Sequence, residues 1–121
     1  MSRENFSSGS TWEPIIGYSR SVKVGDYLHV SGCASDGTGD SYAQTQQCLT
    51  KLDAALKAAG ANLAQVVRTR IFTTNIAEWE KIGRAHGEVF RDIRPATTMV
   101  EVSKLIAPEM LVEIEADAYL R

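Results

Sequence analysis

The sequence has little of what a metal site, a disulfide scaffold or a membrane span requires. Two cysteines, Cys33 and Cys48, and two histidines, His29 and His86, are spread along 121 residues at spacings that form no paired-ligand motif. No metal site is therefore expected. No apolar run is long enough to cross a bilayer, and Met1 to Ser10 lacks the apolar stretch of a signal peptide. The expected location is cytoplasmic, where a structural disulfide is not expected. Basic charge is scarce as well: 13 Lys and Arg stand against 15 Asp and Glu, a formal net charge of -2. With no Lys/Arg run and no stacking aromatics in basic surroundings, nucleic acid is not an expected partner. The glycine-rich stretch Ser31 to Gly39 does not rescue a nucleotide-binding reading, because Asp40 and Ser41 follow its last glycine where a phosphate loop needs Lys and Ser/Thr.

What is present is an ordinary globular composition, 44% hydrophobic and 23% charged, long enough for one core and one domain. Residues 1–17 read as an irregular N-terminal arm rich in Ser and Gly, with Phe6 and Trp12 as anchors, and residues 18–121 as the domain. Tyr18 to Val24 and Tyr27 to Ser31 are strand-like, joined by Gly25-Asp26 as a two-residue hairpin loop, with Leu28 and Val30 facing the core. Ser31 to Gly39 is expected to be a flexible loop. Asp40 or Ser41 caps a helix whose Leu49, Leu52, Leu56 and Ala59 recur at spacings of three and four, and Gly60 stops it. In Val66 to Thr74, Val67, Thr69 and Ile71 alternate with Arg68, Arg70 and Phe72, which places the first three on the core side. Asn75 with Glu78 suggests a capping box for a second helix, whose apolar stripe is Ile76, Trp79, Ile82, Val89 and Phe90.

The last stretch, Ile93 to Leu120, carries the most information. Val112, Ile114, Ala116, Ala118 and Leu120 share one strand face, while Leu111, Glu113, Glu115, Asp117 and Tyr119 share the other. Carboxylates two residues apart on one face repel, so cations or solvent should meet them. The resulting order is β-β-α-β-α-β-β, an α+β domain with two helices on one sheet face. The other face, with Arg68, Arg70, Phe72, Glu113 and Glu115, is left uncovered and is suited to pairing between copies of the chain.

Several of these segments, taken in order, resemble the Rid family of reactive intermediate deaminases, also called YjgF. They are Gly25-Asp26 leading into Ser31-Gly32, Ala58-Ala59-Gly60-Ala61, Val66-Val67-Arg68-Thr69, Pro95-Ala96 and Leu111-Val112-Glu113-Ile114-Glu115-Ala116. The resemblance covers nearly all of the chain from Tyr18 onward. It implies a chorismate mutase-like fold, a mixed sheet assembled as a homotrimer, and small-molecule clefts between subunits. It also implies cofactor-free hydrolysis of imines or enamines to keto acids and ammonia, with Glu113 positioning or activating water. Tyr18 matches an aromatic lining that cleft, and Ser31-Gly32 match its backbone-donating loop.

The departures from the family pattern lie near Pro95. The deaminating branch carries a substrate-gripping arginine two residues after the proline, where this chain has Thr97, and often a cysteine where it has Met99. A commonly asparagine position on the second helix is Gly83. A hydroxyl cannot match the charged, bidentate grip of guanidinium on a carboxylate, which places the chain in an arginine-lacking branch. Arg70 can restore a cation to the cleft or pair with the acidic stripe. Glu115 is expected to be structural, Cys33 an ordinary loop thiol, Cys48 a packing residue, and His29 and His86 structural or surface groups. Two function classes follow: a hydrolase of an imine, enamine or related carbonyl metabolite, and a non-catalytic module that binds a metabolite or partner. Ribonuclease activity is disfavoured by the acidic balance.

Overall fold

The computed structural model describes residues 2–121. The elements are β1 (Arg3–Phe6), α1 (Trp12–Ile16), β2 (Ser21–Val24), β3 (Tyr27–Ala34), α2 (Ser41–Ala58), β4 (Val66–Thr73), α3 (Trp79–Phe90), β5 (Ala96–Glu101) and β6 (Val112–Tyr119). The strands form one six-stranded sheet in the order β1-β2-β3-β6-β4-β5. All its pairings are antiparallel except β4 with β5. Helices α2 and α3 pack on each other over one sheet face. The α+β mixed sheet expected from the sequence is therefore the architecture, with a strand and a short helix added at the front.

These additions correct the reading of residues 1–17 as irregular. β1 pairs with β2 from Arg3↔Val24 to Phe6↔Ser21. Behind it, the buried carboxylate of Glu13 accepts hydrogen bonds from Ser8 N (3.1 Å) and Ser8 Oγ (2.6 Å). The Ser8 hydroxyl holds the Glu13 carboxyl below its ordinary pKa, since donors favour the charged form. Phe6 packs against the core as expected, whereas Trp12 is 56% exposed and anchors nothing there.

The core lies between the helices and β3, β4 and β6. Val112, Ile114, Ala116 and Ala118 are all buried, as their alternation requires. The Gly25-Asp26 hairpin forms, with Val24 paired to Tyr27 and Gly25 in the left-handed region at φ 59°. Asp40 caps α2 by accepting from Ala43 N at 3.0 Å, and Leu49, Leu52, Leu56 and Ala59 are buried along its inner face. Asn75 caps a 3-10 turn at Ile76–Glu78 instead of α3 itself. Of the apolar stripe expected on α3, Ile82 and Phe90 are buried, while Ile76, Trp79 and Val89 remain exposed.

The strand expected from Tyr18 begins only at Ser21, and two β-bulges account for the other departures. Opposite β6, Val66 pairs with Ala118 but Arg68 pairs with Asp117, so β4 carries one extra residue. The extra residue reverses the parity: Val66 is buried and Val67 is 47% exposed, opposite to the expected assignment. On the other side of β6, Val30 pairs with Ala116 and Cys33 with Ile114, so Ser31 and Gly32 together face a single step of β6. Strand β3 consequently runs through this bulge to Ala34, and the loop expected to begin at Ser31 begins after it.

The bulge in β4 makes a contrast that denaturant unfolding can check. Ile114→Ala should cost about 2–5 kcal/mol, the range for emptying a packed aliphatic site. Val67→Ala should change stability by no more than about 0.5 kcal/mol. Comparable losses at the two positions would contradict the assigned register.

Candidate functional site

The uncovered sheet face is a ladder of charge. Arg70 Nη1 lies 3.2 Å from Glu115 Oε2 and 3.3 Å from Asp117 Oδ2, and His29 Nδ1 lies 2.8 Å from Asp117 Oδ1. The partners that the acidic stripe needed are thus supplied by β4, with the Arg70 cation, and by β3, with the His29 ring nitrogen. Among the described residues, Glu113 makes no ion pair. It is half-buried, and burial pushes its carboxyl above the ordinary pKa. The Glu115 charge adds to that rise and Arg20 offsets part of it.

Glu113 lies at one wall of an open cavity of about 950 Å³. The β3 bulge sets its position. A Cβ built on Gly32 would collide with Glu113 Oε2 and sit 2.9 Å from its Cδ. Glycine is needed here for room, because the carboxylate rests directly on the Gly32 backbone. Ser31 ties the bulge to the segment before β2: its N–H donates to Arg20 O (2.9 Å) and its hydroxyl to Ser19 O (2.6 Å). Arg20 closes the loop of contacts by donating from Nη1 to Ser31 O (3.2 Å) and Gly32 O (2.9 Å). Its guanidinium carbon stands 5.9 Å from the Tyr18 ring centroid.

The other walls come from the arm, through Phe6 and Trp12, and from α2, through Lys51. Lys51 Nζ donates to Ala34 O at 2.7 Å and pairs with Asp36 at 2.8 Å. Cys33 also lines the cavity, but it is buried, and desolvation raises its thiol pKa. Burial lifts Cys48 further, to about 12. Both are therefore poor thiolates at neutral pH. Among the described residues no group of three His, Cys, Asp or Glu side chains could hold a metal ion.

Of the residues singled out from the sequence, Tyr18, Ser31, Gly32 and Glu113 meet at this cavity. Arg70 does not line it and is engaged with the acidic ladder. Thr97 and Met99 lie on the edge strand β5, separated from β6 by β4. The Thr97 hydroxyl sits 2.8 Å from Thr69 Oγ1 and 3.1 Å from Pro95 O, and Met99 packs against the core. Thr69 Oγ1 is in turn 2.9 Å from His86 Nε2, which gives His86 a structural place.

Arg20 was not singled out from the sequence. The available signal was its place two residues after Tyr18: the structure starts β2 only at Ser21, yet both residues line the cavity. Replacing Gly32 by Ala should leave stability within about 1 kcal/mol, because the new Cβ meets the movable end of a side chain. The Glu113 carboxylate should swing off residue 32 in a crystal structure of that variant. An unmoved carboxylate would contradict the contact described.

Comparison with known proteins places this arrangement. A family model described as Endoribonuclease L-PSP matches residues 9–120. A solved structure from Mycobacterium tuberculosis, described as a member of the highly conserved YjgF/YER057c/UK114 family, superposes with a TM-score of 0.93 at 51% identity, covering 98% of this chain and 99% of that one. A RutC family protein of Pyrococcus abyssi is 31% identical over 98% of both chains. The 3-aminoacrylate deaminase RutC of Acinetobacter baylyi is 29% identical over 99% of this chain and all of its own length. With the family model spanning nearly the whole chain, the sheet, the bulge and the cavity described here are those of a member of the YjgF family, also called Rid, to which this chain belongs.

Proposed function

We propose that this protein hydrolyses imines or enamines of small carbonyl metabolites, with Glu113 as the general base and without a cofactor. The observation that carries the reading is the state of Glu113. It is a half-buried carboxylate with no cation in contact, its pKa is raised by burial and by Glu115, and it borders a cavity large enough for a metabolite. Such a carboxyl is a stronger base than an exposed one, which general base catalysis near neutral pH exploits. The relation to a protein named 3-aminoacrylate deaminase points to the same chemistry.

The balanced reaction is short. An enamine first tautomerises to its imine. Water then forms a bond to the imine carbon as Glu113 removes one of the water protons. The C=N π pair passes to nitrogen, which takes that proton back from Glu113 and a second proton from the new hydroxyl; the C–N bond then breaks as the C=O bond forms, and a carbonyl compound and ammonia leave. Phe6 and Trp12 give the cavity an apolar wall against which the carbon skeleton of such a metabolite packs.

The working form is a homotrimer on this reading, with its clefts at subunit contacts. The charged sheet face and the exposed edge strand β5 support it. Within one chain β4 lies between Glu113 and the strand that carries Thr97 and Met99, so on this reading a neighbouring copy brings its β5 to the cavity. A non-catalytic binding role is the second reading. It is favoured by Thr97, whose hydroxyl is engaged with Thr69 and Pro95 at the position where the deaminating branch has an arginine.

Ammonia and keto acid release from freshly generated 2-imino acids separates the two. Glu113→Gln should lower kcat/KM by about 10²- to 10⁴-fold, the usual weight of a general base. The wild-type rate should fall on the acid side at a higher pH than an ordinary glutamate would give, because the raised carboxyl must be ionised to act. Stability has the opposite sign. A carboxyl whose pKa is higher folded than unfolded stabilises the fold when protonated and loses that contribution as pH rises through the folded value. Glu113→Gln should therefore raise the Tm at neutral pH and lose that advantage in acid. No turnover above buffer would leave the binding role, and a monomer in sedimentation at micromolar concentration would remove the intersubunit cleft.

A further inference from the structure

Arg20 belongs to no part of the reading so far except the scaffold of the bulge, yet its surroundings suit a second task. Its hydrogen bonds all leave from one nitrogen: Nη1 donates to Ser31 O at 3.2 Å and Gly32 O at 2.9 Å and lies 3.5 Å from Cys33 Sγ. A guanidinium has five donors. The edge formed by Nε and Nη2, the fork that matches the two oxygens of a carboxylate, has no acceptor among the described residues. Tyr18 stands beside the group and the bulge carbonyls hold it, so this fork is fixed before any ligand arrives.

The second observation is the relation of Arg20 to Glu113. Both line the same cavity and both are seated on Gly32: its carbonyl accepts from Arg20, and its Cα bears the Glu113 carboxylate. The two opposite charges interact through the cavity, yet they form no ion pair, and Arg20 pairs with no carboxylate among the described residues. A cation and a carboxylate that line one pocket without pairing define a two-point site. An anionic group fits at one end, and a carbon open to water attack fits at the other.

We propose that Arg20 is the anion anchor of the cavity, gripping the carboxylate of a small 2-imino or 2-oxo acid through its Nε–Nη2 edge. In such acids the carboxylate is bonded directly to the electrophilic carbon, so clamping the one positions the other toward water held by Glu113. The anchor comes from the segment just before β2, on the same chain as Glu113. Thr97 therefore need not supply a charge, and specificity for acids over neutral carbonyl compounds resides in Arg20. This inference rests on the proposed hydrolytic site but concerns ligand binding, which is measured without turnover.

The test uses pyruvate and its neutral analogue pyruvamide as probes, with calorimetric titration of the wild type, Arg20→Gln and Arg20→Lys. The wild type should bind pyruvate about ten- to a hundredfold more tightly than pyruvamide, the span of charge-assisted hydrogen bonds. Arg20→Gln should lose that preference, and Arg20→Lys, which keeps the charge without the fork, should retain part of it. Because the bulge leans on Arg20, each variant is compared with wild type by circular dichroism, and Arg20→Lys carries the comparison if Arg20→Gln fails to fold. Equal affinity for the two probes, no binding of pyruvate to the wild type, or a preference surviving intact in Arg20→Gln would overturn the assignment. A pyruvate preference that depends on Arg20 in a protein without imine turnover would support the anchor while removing the hydrolytic reading.

Discussion

The contact on which the site depends is that between the Glu113 carboxylate and the backbone of Gly32. It exists because β3 carries one residue too many opposite β6, which buckles the strand at Ser31-Gly32, and because the residue at the buckle has no side chain. Glu113 itself stands between Ala34 and Phe72, two uncharged neighbours, so no rung of the charge ladder faces it directly. The bulge brings the Gly32 backbone under its carboxylate and holds Arg20 nearby through the carbonyls it exposes. Strand irregularity and the placement of the cation thus meet at one residue.

The rest of the molecule supports that irregularity. Strand β6 is central, with β3 on one side and β4 on the other, and its inner residues from Val112 to Ala118 fill the core under α2. Packing on that face leaves the strand no freedom to slip by one residue, since a slip would turn four buried side chains outward. On the opposite face, Glu115 and Asp117 are satisfied by Arg70 and His29. A carboxylate brought half out of water without a cation in contact is costly, and Glu113 is the one in this stripe left in that condition. Functional sites commonly accept such local cost within a well-satisfied frame.

Much of this frame was legible in the sequence because it rests on periodicity. The alternation along β6, the leucines of α2 and the Gly25-Asp26 turn each follow from one local rule, and each is present as expected. Bulges obey no such rule. Val67 and Val66 exchange sides because of a residue whose extra place in the ladder is visible only against its partner strand. The same limit made Ser31 to Ala34 read as loop. The arm was misread because β1 has only four residues and is defined by pairing with β2. At the site, Tyr18, Ser31, Gly32 and Glu113 were named through family resemblance, and all four line the cavity. Arg70 was drawn to the stronger local field of two carboxylates. Arg20 was overlooked because a lone arginine before a strand looks like solvated surface until the carbonyls it holds are seen.

The departure at Thr97 then has a physical meaning. The edge strand carries no cation at that point, its threonine is turned to Thr69 and Pro95, and the cations that line the cavity are Arg20, from the segment before β2, and Lys51, from α2. The central claim is that bulge and burial hold Glu113 as an unpaired carboxylate of raised pKa, moderated by Arg20. The most direct test is an NMR titration of the Glu113 side-chain carboxyl carbon in the wild type and in Arg20→Gln. A midpoint above the ordinary glutamate value of 4.5, moving higher still when Arg20 is neutralised, is the expected result. A midpoint at or below that value, indifferent to Arg20, would contradict the account.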